Sequence, residues 1–299
     1  MNFIIFDLEC DTVYSRAHGS FINEIIEIGA VRLDAKLNRI DEYHRMVRSG
    51  ISKKLSGRIK KLTGITDDEI RSEGITFAEM IDEFEEWVHK THDNVFISWS
   101  DSDIHMMVSN LGYFTDLRTI PFIDKYADLQ RYTMKKLGIT GSQISLTDAC
   151  ERLALNEEDA AHHRALDDSE MCVDIMKKCY SKREFSSFIL DTKKDCFYER
   201  LFFKPYVIKS MKNPFIDKKD FNFRCPKCHR RARPAEKYRF TGHAFKARFE
   251  CPKCKNVFVG NVRVKKNFDS LSIYRYTSEV GEKGSAEKNE TLEKKTQKV

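Results

Sequence analysis

Phe3, Ile4, Ile5 and Phe6 stand together near the start of the chain and leave no polar face. Side chains alternate along a strand, so this run is buried on both sides and belongs in the middle of a covered sheet. Helices must supply the cover. Thr76 and Glu79 form a capping-box pattern ahead of Phe77, Met80, Ile81, Phe84, Trp87 and Val88, which recur at helical spacing. Residues 94–99 return to strand character. Ile104, Met107, Val108 and Leu111 then repeat helically, so Asp103 opens a helix just after a strand. Residues 25–33 and 39–47 read as further strands, and helical patterns run near 127–137, 145–155 and 164–180. Strands first and alternating helices afterwards predict an α/β fold, a mixed sheet flanked by helices.

The 299 residues suggest two domains, and charge divides them. Residues 1–199 carry a net −10, residues 200–276 a net +16 and residues 277–299 none. A dense basic segment attracts phosphate polymers, whereas an acidic cluster collects divalent cations. No stretch approaches the roughly 20 apolar residues that cross a bilayer. The first fifteen residues hold Asp7, Glu9 and Asp11 but no Lys or Arg, the reverse of a secretory signal, so a cytoplasmic location is expected. The expected domains are a catalytic domain over 1–180, a basic aromatic connector over 181–220 that includes Phe197, Tyr198, Phe202, Phe203 and Tyr206, and a cysteine-rich basic module over 221–276. Residues 277–299 are almost free of apolar side chains and are expected to be disordered.

Asp7 and Glu9 follow the buried strand and, two residues apart, point to one face. Adjacent carboxylates repel unless a cation lies between them, so the pair points to Mg²⁺ or Mn²⁺ held by oxygen ligands. A solvated acidic loop is the plainer alternative. Ser98, Trp99, Ser100, Asp101, Ser102 and Asp103 occupy a strand-to-helix junction, where α/β sheets build sites, although Ser102 or Asp103 could equally serve as a helix cap. His162, His163, Arg164, Ala165, Leu166, Asp167 and Asp168 lead into an amphipathic helix. Five helical residues turn through about 500°, so His163 must precede the helix if it shares a site with Asp168.

In this order and spacing, Phe6-Asp7-Leu8-Glu9, residues 98–103 (SWSDSD) and His163 to Asp168 resemble the three motifs of the DEDDh 3′-to-5′ exonucleases. The resemblance covers about residues 1–180 and extends to residues 24–31 (EIIEIGAV) and 62–66 (LTGIT). Within the family it is most similar to the branch of histone-mRNA and small-RNA trimming enzymes and sporulation-inhibitor-like proteins. It implies a ribonuclease H-like fold and two-metal hydrolysis of single-stranded RNA or DNA from a free 3′ end, with RNA slightly favoured. The family's His-x-Ala-x-x-Asp pattern selects His163 and Asp168 over His162 and Asp167. The helix that follows selects Asp103 over Asp101. The implied ligands of two Mg²⁺ or Mn²⁺ ions are Asp7, Glu9, Asp103 and Asp168, with His163 as the general base. Two residues are implied to meet substrate. Cys10 departs from the Thr of many relatives beside the terminal nucleotide, and Leu62 either wedges between the last two bases or belongs to the core.

Nine cysteines are too many and too odd for a simple disulfide framework. Cys225-x-x-Cys228 and Cys251-x-x-Cys254 enclose 22 residues, the spacing of a zinc ribbon. Four thiolates would fill the coordination sphere, so the expected Zn²⁺ is structural. Around them lie Arg230, Arg231, Arg233, Lys237, Arg239, Lys246, Arg248, Arg263, Lys265 and Lys266, a surface for a nucleic-acid strand or for a protein partner. The remaining five cysteines read as small buried hydrophobes. The rival to an enzyme is an inert nuclease fold whose ribbon acts as a binding adaptor.

Overall fold

The structure is a computed structural model that describes residues 1–155, 164–194, 196–279 and 290–298. It forms two compact units, Met1–Leu201 and Phe202–Val299.

The first unit is a six-stranded mixed sheet flanked by helices. Its strands are β1 (Asn2–Ser15), β2 (Ser20–Leu33), β3 (Arg39–Met46), β4 (Asn94–Ser98), β5 (Lys125–Asp128) and β6 (Leu190–Asp191), in the order β3-β2-β1-β4-β5-β6. β1 pairs antiparallel with β2 and parallel with β4. The helices are α1 (Gly57–Thr63), α2 (Asp67–Glu73), α3 (Phe77–His89), α4 (Ser102–Phe114), α5 (Leu129–Lys136), α6 (Leu146–Arg152), α7 (Ala165–Cys179), α8 (Lys182–Phe185) and α9 (Cys196–Phe202).

Each face of the sheet has its own core, as the doubly apolar start of β1 requires. Ile4, Phe6 and Leu8 join Phe84 and Trp87 of α3 and Ile104 and Met107 of α4. Phe3 and Ile5 point the other way, among Tyr132 of α5, Ala149 of α6 and Val173 and Met176 of α7. The capping box of α3 forms as its sequence predicts, with Thr76 accepting from the Glu79 N–H and Glu79 from that of Thr76.

Three boundaries differ from the sequence reading. β1 continues to Ser15 because residues 7–15 pair with β2, so Asp7 and Glu9 lie within the strand and not beyond its end. The stretch read as a connector is divided between the units. Phe185 and Phe197 are buried in the first and Ile208 in the second, whereas Phe202 and Tyr206 are exposed, so only part of the stretch serves as core. Residues 277–299, expected to be disordered, supply Glu290–Lys298 as a strand. The edge of a sheet presents unpaired N–H and C=O groups, and backbone pairing needs no apolar side chain.

The second unit is antiparallel. Its strands are β7 (Tyr206–Val207), β8 (Arg233–Pro234), β9 (Arg239–Thr241), β10 (Ala244–Glu250), β11 (Val257–Lys266), β12 (Ser270–Ser278) and β13 (Glu290–Lys298). The main path runs β13-β12-β11-β10-β8, with β7 on β11 and β9 on β10. Phe223, Phe245, Phe249 and Phe258 form its core. No helix among the described residues is long and apolar enough to cross a membrane.

Candidate active site and zinc centre

On the face of β1 that buries Phe3 and Ile5, the alternation continues with Asp7 and Glu9. The apolar floor therefore ends in two carboxylates. A helix must then come close enough to add a third, and Gly29 permits this. Gly29 pairs with Asp7 across β1 and β2, and a Cβ there would lie 2.2 Å from the Leu166 nitrogen. The first turn of α7 thus rests on the β2 backbone. Ser169 fixes the contact by donating to the Gly29 carbonyl at 3.0 Å.

Glu27, opposite Glu9 on β2, anchors the same helix end. Fully buried, it accepts from the Ala165 N–H at 3.0 Å, from Arg164 at 2.6 Å and pairs with His44 at 2.8 Å. Burial pushes its carboxyl up, but these bonds outweigh it and hold the group below its ordinary range. An anion beneath the first N–H groups of a helix also complements the helix dipole. With α7 so placed, ligand oxygens of Asp7, Glu9 and Asp168 all lie within 4.8 Å of one another.

Asp103 joins them from α4. It is buried, whereas Asp101, the residue at the helix cap, is half-exposed and pairs with Arg131 at 3.1 Å. Neither Ser102 nor Asp103 occupies the cap position. Burial, then the charges of Asp103 and Asp168, push the Asp7 carboxyl well above its usual range. Burial and Asp168 raise Glu9 to about 8. Burial likewise raises Asp103 to about 7, although the Ser98 hydroxyl and the Leu8 N–H stabilise its anion. Ser98 is itself bonded to the Tyr126 hydroxyl at 2.9 Å. Four carboxyls so close, Glu9 and Asp103 buried and Asp7 and Asp168 half-buried, cannot all ionise unaided, and all offer hard oxygen donors. The set fits divalent cations such as Mg²⁺ or Mn²⁺.

The other sequence-assigned residues are distributed as follows. His163 lies outside the described residues, just ahead of Arg164, where α7 is capped. Asp167 is exposed on α7. Cys10 is half-buried beside Glu9, its thiol pushed up to about 12 by burial and then by Glu9. Leu62 is 43% exposed on α1, so it is not core. α1 is tied to β1 through its cap residue Ser56, which donates to Asp11 at 2.6 and 2.7 Å. Glu27 and Gly29 were not assigned roles from sequence. A glutamate and a glycine inside the apolar run of residues 24–31 were the available signals, since an interior strand glycine marks close backbone approach.

In the second unit, two turns of the same design face each other. The Cys225 N–H bonds to the Arg230 carbonyl and the His229 N–H to the Cys225 carbonyl, both at 2.8 Å. Cys251 repeats this with Asn256 at 2.9 Å and Lys255 at 3.0 Å. His229 and Lys255 take the same left-handed backbone, φ 56° and 59°. The Sγ atoms of Cys225 and Cys254 are 3.5 Å apart and those of Cys228 and Cys251 3.4 Å. A tetrahedron with Zn–S of about 2.3 Å has edges of about 3.8 Å, so the four sulfurs fit Zn²⁺. Backbone N–H groups of Cys254 and Lys253 hold the Cys251 thiol down to about 6, which favours the thiolate ligand.

The exonuclease (RNase_T) family model matches residues 4–176. Human 3′-5′ exoribonuclease 1 is 26% identical over 156 residues, 50% of this chain and 44% of that protein, so the match spans less than half of the relative. A full-length 3′-exonuclease crystal structure superposes with a TM-score of 0.54 at 20% identity, covering 65% of this chain and 91% of the other. The nuclease domain of 3′hExo, a DEDDh family member bound to rAMP, gives 0.52 at 23% identity over 59% and 90%. At these identities the structural likeness establishes the fold, a helix-flanked mixed sheet of the ribonuclease H-like exonuclease type.

Proposed function

We propose, for a chain that belongs to the exonuclease family, that its first unit hydrolyses single-stranded nucleic acid from the 3′ end. The observation that carries this is the convergence of Asp7, Glu9 and Asp168 ligand oxygens within 4.8 Å, with buried Asp103 raising the charge further. Such a cluster is costly to bury unless cations offset it. A pair of divalent cations, Mg²⁺ or Mn²⁺, would supply the positive charge that offsets the pentavalent phosphate and acidifies water. Asp7, Glu9 and Asp168 would hold one such ion, Asp7 would also serve the second, and Asp103 would support that second position. An imidazole nitrogen of His163 takes the proton of the attacking water. Leu62, exposed on a helix tied to β1 two residues past Glu9, meets the terminal bases, and Cys10 packs beside the last nucleotide. The second unit carries structural Zn²⁺ on Cys225, Cys228, Cys251 and Cys254 and holds the strand by its basic surface.

RNA is the favoured substrate, from the human exoribonuclease relative. Incubation with a 3′-ended strand and Mg²⁺ tests the reading. Release of mononucleotides, abolished by Asp7→Ala, is expected. Tight binding without digestion would support the adaptor alternative, and unaltered cutting of a 3′-blocked strand an endonuclease. Matched RNA and DNA oligomers, digested side by side, decide the sugar preference.

A further inference from the structure

We infer that the outer face of the second unit's sheet is a platform for a single nucleic-acid strand, whose phosphates meet Lys246, Arg248, Arg263 and Lys265 and whose bases stack on Tyr276. This deepens the proposed strand-holding role of that unit and rests on it. Strand register fixes the face. Residues directly opposite each other in antiparallel strands share a face, and neighbours along a strand alternate between faces. Phe245 and Phe249 of β10, Val262 and Val264 of β11, and Leu271 and Ile273 of β12 point into the core, so the residues between them point outward.

On that outward side Lys246 of β10 stands opposite Asn261 of β11, which stands opposite Tyr276 of β12. Arg263 stands opposite Tyr274, and Lys265 follows two residues on. Arg239 of β9 extends the first row beyond Lys246. A side-chain bond supports the assignment, because the Asn261 amide donates at 3.2 Å to the hydroxyl of Ser278, two residues past Tyr276. Arg248 and Arg263 are exposed, whereas Lys246, Lys265 and Tyr276 are half-buried.

The fold thus sorts cations that the sequence leaves in one list. Lys266 turns to the core side, where it donates to the Phe268 carbonyl at 2.7 Å and lies 5.1 Å from the Phe215 ring centroid. Arg275 also turns inward, over Phe223. The outward cations repeat every two residues, about 7 Å along a strand, on strands about 4.8 Å apart. Glu250, at the end of the same face, pairs with Lys255 at 3.8 Å, and Glu236 accepts from the Arg248 N–H at 3.1 Å. The cations outnumber these acids. Like charges within about 10 Å of one another repel, and a polyanion laid across them relieves that repulsion.

Tyr276 favours a nucleic acid over an acidic peptide as that polyanion. Every base has a π face, so an aromatic ring among cations grips a strand without reading its sequence. A chain of the exonuclease family needs such a grip, because each base in turn must reach the 3′ end.

The test uses the full zinc-loaded chain carrying Asp7→Asn and a fluorescein-labelled single-stranded RNA of about twelve nucleotides, read by anisotropy across a salt series. Arg248→Gln/Arg263→Gln is expected to weaken binding by about tenfold or more and to lower the slope of log K against log salt by about 1.4, two contacts at about 0.7 each. Tyr276→Leu is expected to weaken it about fivefold or more with the slope unchanged, and Tyr276→Phe to bind as the natural chain does. Lys218→Gln/Lys219→Gln removes equal charge beside Phe221, which packs on Phe245 on the core side, and is expected to change affinity less than about threefold. Equal losses from both charge pairs would overturn the platform while leaving strand holding by the second unit intact. No loss from either would overturn both and turn the unit toward a protein partner. Loss from the outward pair with none from Tyr276→Leu would overturn the stacking and leave a face for any polyanion. Should the outward pair lose zinc, Lys246→Gln/Lys265→Gln carries the same comparison.

Discussion

Asp7, Glu9 and Asp103 share the electrostatic cost of the site. With its carboxyl raised to about 8, Glu9 stays protonated in the folded, ion-free protein at pH values where the unfolded chain, near its ordinary 4.5, has released the proton. The native state then binds more protons, so stability falls as pH rises between these two values. Asp103, raised to about 7, acts in the same direction. The ion-free protein is therefore expected to melt lower at about pH 8 than at about pH 5. Glu9→Gln should flatten that slope, and Mn²⁺ should restore the melting temperature at the higher pH, all measured by calorimetry. At this scale the sequence was most legible where one rule sufficed. Two acids two residues apart on a buried strand must share a face, and Asp7 and Glu9 do. Glu27 was not legible, because its worth lies in the helix N-terminus and the Arg164 that the fold brings over it from more than 130 residues away.

The elements assemble the site through one close crossing, α7 over β2. Gly29→Ala would place a Cβ 2.2 Å from backbone atoms that no side-chain rotation can move, so the helix must lift. We expect a loss of about 2 kcal/mol or more in urea unfolding, together with weaker Mn²⁺ binding because Asp168 moves away from Asp7. Glu27→Ala removes the anchor and strands Arg164, partly exposed, for a loss of about 2 to 4 kcal/mol in the same measurement. Elements with strong periodicity, such as α3 with its capping box, followed directly from sequence. The short helices α1 and α2 did not. Seven residues each, they have little room for an apolar period and owe their place to Ser56 bonding Asp11 and to Thr66 capping.

Over the whole molecule the charge division marks two units with different means of stability. The first buries a core on each face of its sheet, whereas the second adds to its phenylalanine core a pair of turns that a metal fits. Removing zinc with a chelator is expected to expose the amides of the second unit to hydrogen exchange and leave those of β1 and β2 protected. Loss of protection in both would mean that the units do not fold independently. Cysteine spacing alone marked the four sulfurs that the fold brings together, but composition misread residues 290–298, which pair with β12 in a backbone ladder that composition does not register.

The most direct test of the account is calorimetric titration of the zinc-loaded chain with Mn²⁺, alongside Asp7→Ala. Binding in the natural chain that disappears in the variant, with zinc content unchanged, is the predicted result. Equal Mn²⁺ binding by both, or none by either, would contradict it.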